Sequence, residues 1–155
     1  MHDSVKKYKN IISAITSELE AEKTLKMPKI IAVSKTFNLE KIIPLIEFGH
    51  LDYGENKVQE AIDKWSEIKI KKPDIKLHLI GKLQSNKVKF AVRIFDFIHS
   101  LDSAKLAKKI SDEQLKQNKK MKLFIQVNIG IEDQKGGVNK KELHNFYNYC
   151  KKLNL

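Results

Sequence analysis

Apolar residues recur along this chain in two alternating rhythms. From the N-terminus, Val5, Tyr8, Ile11, Ile12, Ile15 and Leu19 stand three and four apart, the spacing of one face of an amphipathic helix. Pro28 is expected to stop that helix. The next run, Ile30, Ile31, Ala32 and Val33, is short, largely β-branched and bounded by polar residues, and reads as a buried strand. NLEKIIPLIEFGH then returns to helical spacing, with Asn38 as cap, Glu40 in the first turn and Gly49 at the end. Pro44, inside this segment, predicts either a kink or a shifted first turn.

The cycle repeats. LDYGEN reads as a strand running into a turn, and KVQEAIDKWSEI as a helix with Val58, Ala61, Ile62 and Trp65 on one face. Pro73 breaks the chain before a third strand, KLHLIGKL, and a third helix, SNKVKFAVRIF. FIHSLD and SAKLAKKISDEQLKQN, capped by Ser103, make the fourth pair. MKLFIQVNIG, the clearest strand, and NKKELHNFYNYCKKL, capped by Asn139, make the fifth.

Strands alternating with helices at a period of about 20–26 residues predict repeated βα units around a parallel sheet. No linker or low-complexity stretch interrupts them, so residues 1–155 read as one domain. Two architectures are built this way, an open doubly wound sheet and a closed (β/α)8 barrel. No strand is followed by GxGxxG or GxxxxGK[ST], which disfavours the nucleotide-binding open sheet. Polar residues gather instead where strands end: Ser34-Lys35-Thr36, Gly54-Glu55-Asn56, Gly81-Lys82-Leu83-Gln84, His99-Ser100 and Asn128. In a barrel those ends share the face that carries the active site. The predicted fold class is therefore α/β, of the (β/α)8 TIM-barrel type. A full barrel typically needs about 250 residues, and this sequence supplies five units and an N-terminal helix. Five strands leave sheet edges bare. The expectation is an incomplete barrel domain: a fragment, an assembly completed between chains, or a degraded gene.

Composition narrows the class. With 41% hydrophobic residues the chain can fill one core, and no apolar run reaches the roughly 18 residues of a membrane span. MHDSVKKYKNIISAITSELEAEK mixes charges throughout and lacks the apolar stretch of a signal peptide. Cys150, the one cysteine, excludes an internal disulfide and multi-cysteine zinc sites, and suits a reducing cytoplasm. The net charge of +11 suggests nucleic acid. Yet Arg93 is the one arginine among 30 Lys+Arg, whereas phosphate and base readers favour the bidentate guanidinium fork. Neither a nucleic-acid nor a membrane partner is expected.

Lys35 then stands out. An ammonium directly after an apolar strand either ends the strand in solvent or is placed there for chemistry. The strand-end stretches AVSKT (32–36), YGENKVQEA (53–61), HLIGKLQSNK (78–87) and VNIGIEDQKGG (127–137) resemble, in order and spacing, those of the pyridoxal phosphate homeostasis protein family. The family was once called the proline synthetase co-transcribed proteins. The resemblance runs from about Ile30 to Gly137.

It implies a barrel like that of alanine racemase (fold type III among PLP proteins) and pyridoxal 5′-phosphate (PLP) as cofactor. In that reading Lys35 is buried and holds PLP as a Schiff base, helped by desolvation, since only an unprotonated amine attacks an aldehyde. The other cofactor-binding candidates are Asn56, Asn128, Lys135 and His78. Asn56 equally suits a turn or helix cap, His78 a hydrogen-bonded structural role, and Lys135 an exposed loop. Tyr53, Glu55 and Gln59 are further candidates for the same wall. Asn86 and Lys87 read as a helix start, and Gly136-Gly137 as a tight turn.

The function the resemblance implies is a non-catalytic PLP carrier serving intracellular PLP homeostasis, with PLP-dependent apo-enzymes as recipients. A racemase-like enzyme and a fragment with no cofactor function are the alternatives. Self-association through the open barrel edge is a further partner candidate.

Overall fold

A computed structural model describes residues 1–23, 26–130 and 136–155. Its elements follow the predicted cycle: α1 (Asp3–Ala21), β1 (Ala32–Val33), α2 (Leu39–Glu47), β2 (Asp52–Glu55), α3 (Val58–Lys71), β3 (Lys76–Leu79), α4 (Val88–Ile94), β4 (Phe97–Leu101), α5 (Ala104–Gln117), β5 (Lys122–Ile125), β6 (Val127–Asn128), β7 (Val138–Asn139) and α6 (Leu143–Lys152). Short 3-10 turns at Ser85–Lys87 and Lys140–Glu142 lead into α4 and α6.

The five main strands are all parallel and lie in the order β1-β2-β3-β4-β5. Spatial order equals sequence order, with no reversal. A doubly wound sheet would reverse at a switch point, whereas a singly wound sheet curls as a barrel does. The barrel-type expectation is thus met in its topology.

The two faces of the sheet differ because side chains alternate. Tyr53, Leu77, Leu79 and Ile98 turn to the helices and are at most 1% exposed. There they pack with Ala61, Trp65, Ala91, Val92, Phe95, Ala107 and Ile110. Asp52, Gly54, His78, Phe97 and His99 alternate with them and form the other, inner face.

Some boundaries differ from the periodicity. Helix α1 ends at Ala21, well before Pro28; Lys23 takes a left-handed φ of +54° just past its end. Ile11 is 50% exposed and falls off the buried stripe. Asn38 occupies the cap position of α2 without a side-chain cap bond, and Pro44 sits inside that helix. Ser103 and Asn139 cap as predicted, accepting from Leu106 N–H and Lys141 N–H. MKLFIQVNIG divides at Gln126, whose N–H bonds back to Leu101, so that Val127–Asn128 pairs with Val138–Asn139 instead. The run at Ile30 is only half-buried: β1 is the outermost strand, and Val33 is 46% exposed.

Candidate functional site

Lys35 lies in a tight turn directly beyond β1. Ser34 N–H donates to Gly54 O at 2.9 Å, extending the β1–β2 ladder by one residue, and Phe37 N–H donates to Ser34 O at 3.2 Å, closing the turn. Lys35 and Thr36 are its two central residues. Thr36 has φ +65°, a left-handed value that β-branched residues rarely adopt and that turns usually assign to glycine. The expected burial of Lys35 is corrected: the residue is exposed, because the turn lifts it off the sheet at the strand's C-terminal end.

The neighbouring Ser34 points the other way, into the layer between sheet and helices, and is 3% exposed. There it meets Glu55, which shares the parity of Tyr53 and is fully buried. Glu55 Oε1 accepts from Ser34 Oγ at 2.8 Å, Lys64 Nζ at 2.9 Å and Trp65 Nε1 at 2.9 Å. Lys64 Nζ also donates to Ser34 O at 2.9 Å and Glu60 Oε1 at 3.3 Å, so its three protons have three acceptors. Glu60 Oε1 in turn accepts Thr36 N–H at 2.8 Å. Glu55 is therefore a structural anion behind the turn, not part of a cofactor-facing wall.

On the inner face, Gly54 keeps a flat floor. A Cβ there would meet Ile31 Cγ2, Ile80 Cδ1 and Val33 Cγ2 at 3.2–3.6 Å. Asn56 follows Gly54 in the same alternation, half-buried at the end of β2. The end of β3 presses on it so closely that a Cβ on Gly81 would stand 2.3 Å from Asn56 O. Asn128 lies on β6 and is half-buried. The following loop is tied at its base: Gln126 Nε2 donates to Gly136 O, and Val138 N–H to Gln126 O. Gly137, at φ +133° with Asn128 N 2.8 Å from where its Cβ would be, makes the predicted tight turn. Lys135 lies outside the described residues. Asn86 and Lys87 lie in the 3-10 turn Ser85–Lys87 that leads into α4, as expected of a helix start. Gln59 bonds Asp63 on the exposed side of α3, and Tyr53 is packed in the core.

His78 is held by protein on both sides. Its Nε2 lies 3.0 Å from Asp52 Oδ1 and its Nδ1 2.9 Å from His99 Nε2. Lys29 Nζ completes the row, 3.1 Å from Asp52 Oδ1. A carboxylate accepts, so His78 donates through Nε2 and accepts at Nδ1, which makes His99 the donor through its Nε2. The rings stack on Phe97 and Phe124 respectively. Burial holds both histidines below their usual value, against the pull of Asp52 on His78; for His99, neighbouring His78 lowers it further. Burial raises Asp52, but the bonds from His78 and Lys29 outweigh it and leave the carboxyl below its usual range. His50, between Tyr8 and Asp52, is also lowered by burial.

A pH dependence follows. The unfolded histidines take up protons near the ordinary value of 6.5, whereas the folded ones resist protonation until lower pH. The unfolded state therefore binds more protons in this window, and stability falls as pH drops from 6.5 to the depressed folded values. Thermal denaturation between about pH 7.5 and about pH 5.5 should show a melting temperature that declines steadily with acidification. A flat or rising curve would contradict neutral, buried histidines.

The sequence reading did not assign Asp52, His99, Glu60 or Lys64. Parity carried a usable signal: Glu55 and Tyr53 share a face, and a carboxylate on the helix-facing side demands a cation. The i,i+4 pair Glu60/Lys64 is where to look for it. A groove of about 410 Å³ flanks β1 and includes Val33, Ser34 and Phe37, but Lys35 does not line it.

Comparison with known proteins sets this geometry in context. Residues 12–155 match the family described as alanine racemase, N-terminal domain. A pyridoxal phosphate homeostasis protein of Pasteurella multocida is 36% identical over 115 residues, which are 74% of this chain and 49% of that protein. One from Aquifex aeolicus is 38% identical over 125 residues, 81% of this chain and 54% of the relative. The structure of PipY from Synechococcus elongatus with PLP bound superposes with a TM-score of 0.69 at 36% identity, covering 85% of this chain and 63% of that one. The chain spans about half the length of the curated relatives it matches.

Proposed function

The chain belongs to the alanine racemase N-terminal domain family, and on that footing we propose that it holds PLP reversibly on Lys35 and serves PLP homeostasis without turnover. The observation that carries this reading is the Lys35 turn: an exposed lysine whose backbone is held at the C-terminal end of a barrel-type strand, where such folds work. The residues around it fit the group. Gly54 adds no side chain to the inner face, where Ile31, Ile80 and Val33 already stand 3.2–3.6 Å from the place its Cβ would take. Asn56, at the end of β2, and Asn128, on β6 of the second sheet, are the hydrogen-bonding groups this reading assigns to the ring's substituents. PLP supplies an aldehyde for reversible covalent capture. Lys35, through its Nζ, would be the residue that holds the group covalently and releases it again.

Carriage rather than turnover is supported by the relatives' name and by His78, whose two ring nitrogens are spent on Asp52 and His99. A proton-transferring enzyme needs a base within reach of the reacting carbon. PLP-dependent apo-enzymes are the recipients in this reading. The cytoplasm is its compartment, in keeping with a free, buried Cys150. Among the described residues no helix is long and apolar enough to cross a membrane.

The test is direct. Purified protein is mixed with PLP, its absorption spectrum followed, and the mixture reduced with borohydride and mapped. The reading expects a red shift and a label concentrated on Lys35, both lost in Lys35→Ala. A label scattered among the lysines would overturn it.

A further inference from the structure

We propose that Glu60 is a positioning residue for Lys35, holding the backbone of the turn so that the amine is presented in one orientation. The inference rests on the PLP-holding reading and adds to it a residue on α3 that does not itself reach the cofactor.

Three observations support it. Thr36, next to Lys35, is held at φ +65°. A non-glycine residue in that region is strained by roughly 1–3 kcal/mol and persists only where its surroundings over-determine it. The second observation is the restraint itself. Glu60 Oε1 accepts Thr36 N–H at 2.8 Å, on the C-terminal side of Lys35. Lys64, one helical turn further along α3, donates to Ser34 O at 2.9 Å on the N-terminal side. One helix therefore grips the main chain on both sides of the lysine, and the Lys64–Glu60 contact at 3.3 Å ties the two grips together. The third is exposure. Thr36 and Lys35 are exposed, so packing does not fix the turn and the polar clamp must. A charged acceptor on a backbone N–H is about twice as strong as a neutral one. Glu60's carboxyl is held below the usual glutamate value, first by Thr36 N–H and, against the opposing effect of burial, by Lys64. It is thus anionic at neutral pH.

Ordering the turn in advance matters for an exposed lysine. A free side chain on a mobile turn loses conformational freedom each time a ligand is captured, whereas a fixed turn has already lost it. The clamp also distinguishes Lys35 from the many other surface lysines, which share its chemistry but not its restraint.

Two measurements test this. In the unmodified, ligand-free protein the Thr36 amide should exchange with solvent slowly, although its residue is exposed; exchange at the rate of a free amide would overturn the proposal whatever any variant does. Second, Glu60→Ala and Glu60→Gln are compared in the PLP-borohydride experiment, with circular dichroism and melting temperature as fold controls. Loss of a charge-assisted bond should lower the Lys35 label in Glu60→Ala, relative to the other lysines, by about tenfold. Thr36 exchange should accelerate with it. Glu60→Gln keeps an oxygen acceptor but loses the charge, so its Lys35 label should fall in between, about threefold below the unmodified protein. A Lys35 label of full strength in a folded Glu60→Ala overturns the positioning role and leaves the PLP reading standing. An unmodified protein that fails to label Lys35 overturns the PLP reading instead.

Discussion

Truncating Trp65 to alanine is expected to cost about 3–5 kcal/mol of folding free energy. That is a large share of the roughly 5–15 kcal/mol that holds a typical domain together. Trp65 is fully buried between α3 and the sheet, with its ring 4.7 Å from that of Tyr53. Removing it opens a cavity that rigid strands on one side and α4 beyond cannot collapse to fill. It also takes away one of the three donors to Glu55 Oε1. Trp65→Phe separates the two losses. Phenylalanine keeps most of the apolar volume but has no N–H, so its cost should approach that of one hydrogen bond to a charged group, about 1.5–3 kcal/mol. Urea denaturation of the three proteins checks the order: unmodified, then Trp65→Phe, then Trp65→Ala. Equal midpoints for the two variants would mean that the indole N–H, not the packing, carries Trp65's contribution.

The same residue illustrates what the sequence made legible. Trp65 reads as buried from spacing alone, because Val58, Ala61 and Trp65 recur at three and four. The strand order follows from the βα rhythm, since sequential parallel strands joined by helices tend to lie side by side. Lys35's position at a strand end was likewise readable, but its exposure was not. An apolar run before a lysine suggests burial, and only the turn, with Thr36 at positive φ, lifts the side chain out. The His78–Asp52–His99 row was hidden for a different reason. Its members lie on three strands, and their meeting depends on the register Gly54↔His78 and His78↔Phe97. A one-residue slip of any of the three strands would turn its member of the row to the other face. Residue types do not encode that register; packing of the helix-facing residues does.

Glu55 and Lys64 make the second large prediction, and its sign depends on what replaces them. Glu55 is fully buried and the Lys64 side chain is 9% exposed, with 2.9 Å between Oε1 and Nζ. Taking Lys64 away leaves Glu55 as an uncompensated charge in a place water scarcely reaches, at a cost of about 3–5 kcal/mol; taking Glu55 away leaves Lys64 with Glu60 Oε1 at 3.3 Å and Ser34 O at 2.9 Å, and costs less. Lys64→Ala is therefore expected to be as damaging as Trp65→Ala, although it removes far less volume. Replacing both partners is different. An apolar pair of similar size, Glu55→Leu with Lys64→Met, removes both desolvation penalties together, and such exchanges are often neutral or stabilising by about 1–4 kcal/mol. Two details set how far the double variant recovers. Glu55 Oε2 has no hydrogen-bond partner among the described residues, so the native pair is imperfectly satisfied and its removal costs less than that of a complete network. Against this, Ser34 Oγ and Trp65 Nε1 lose their shared acceptor, and Ser34 O loses its lysine. The double variant should therefore land well above either single one and close to the unmodified protein. A thermodynamic cycle of the four proteins measures the coupling; simple additivity of the two single losses would show that Glu55 and Lys64 act independently. The Lys35 turn gives a second reading of the same cycle. Without Lys64 the grip on Ser34 O is gone even where stability is restored, so the double variant should fold well yet present Lys35 less firmly. Fold and presentation separate here because the ion pair works on both: its charges meet in the core, and one of the remaining Lys64 protons reaches the backbone of the turn at Ser34 O.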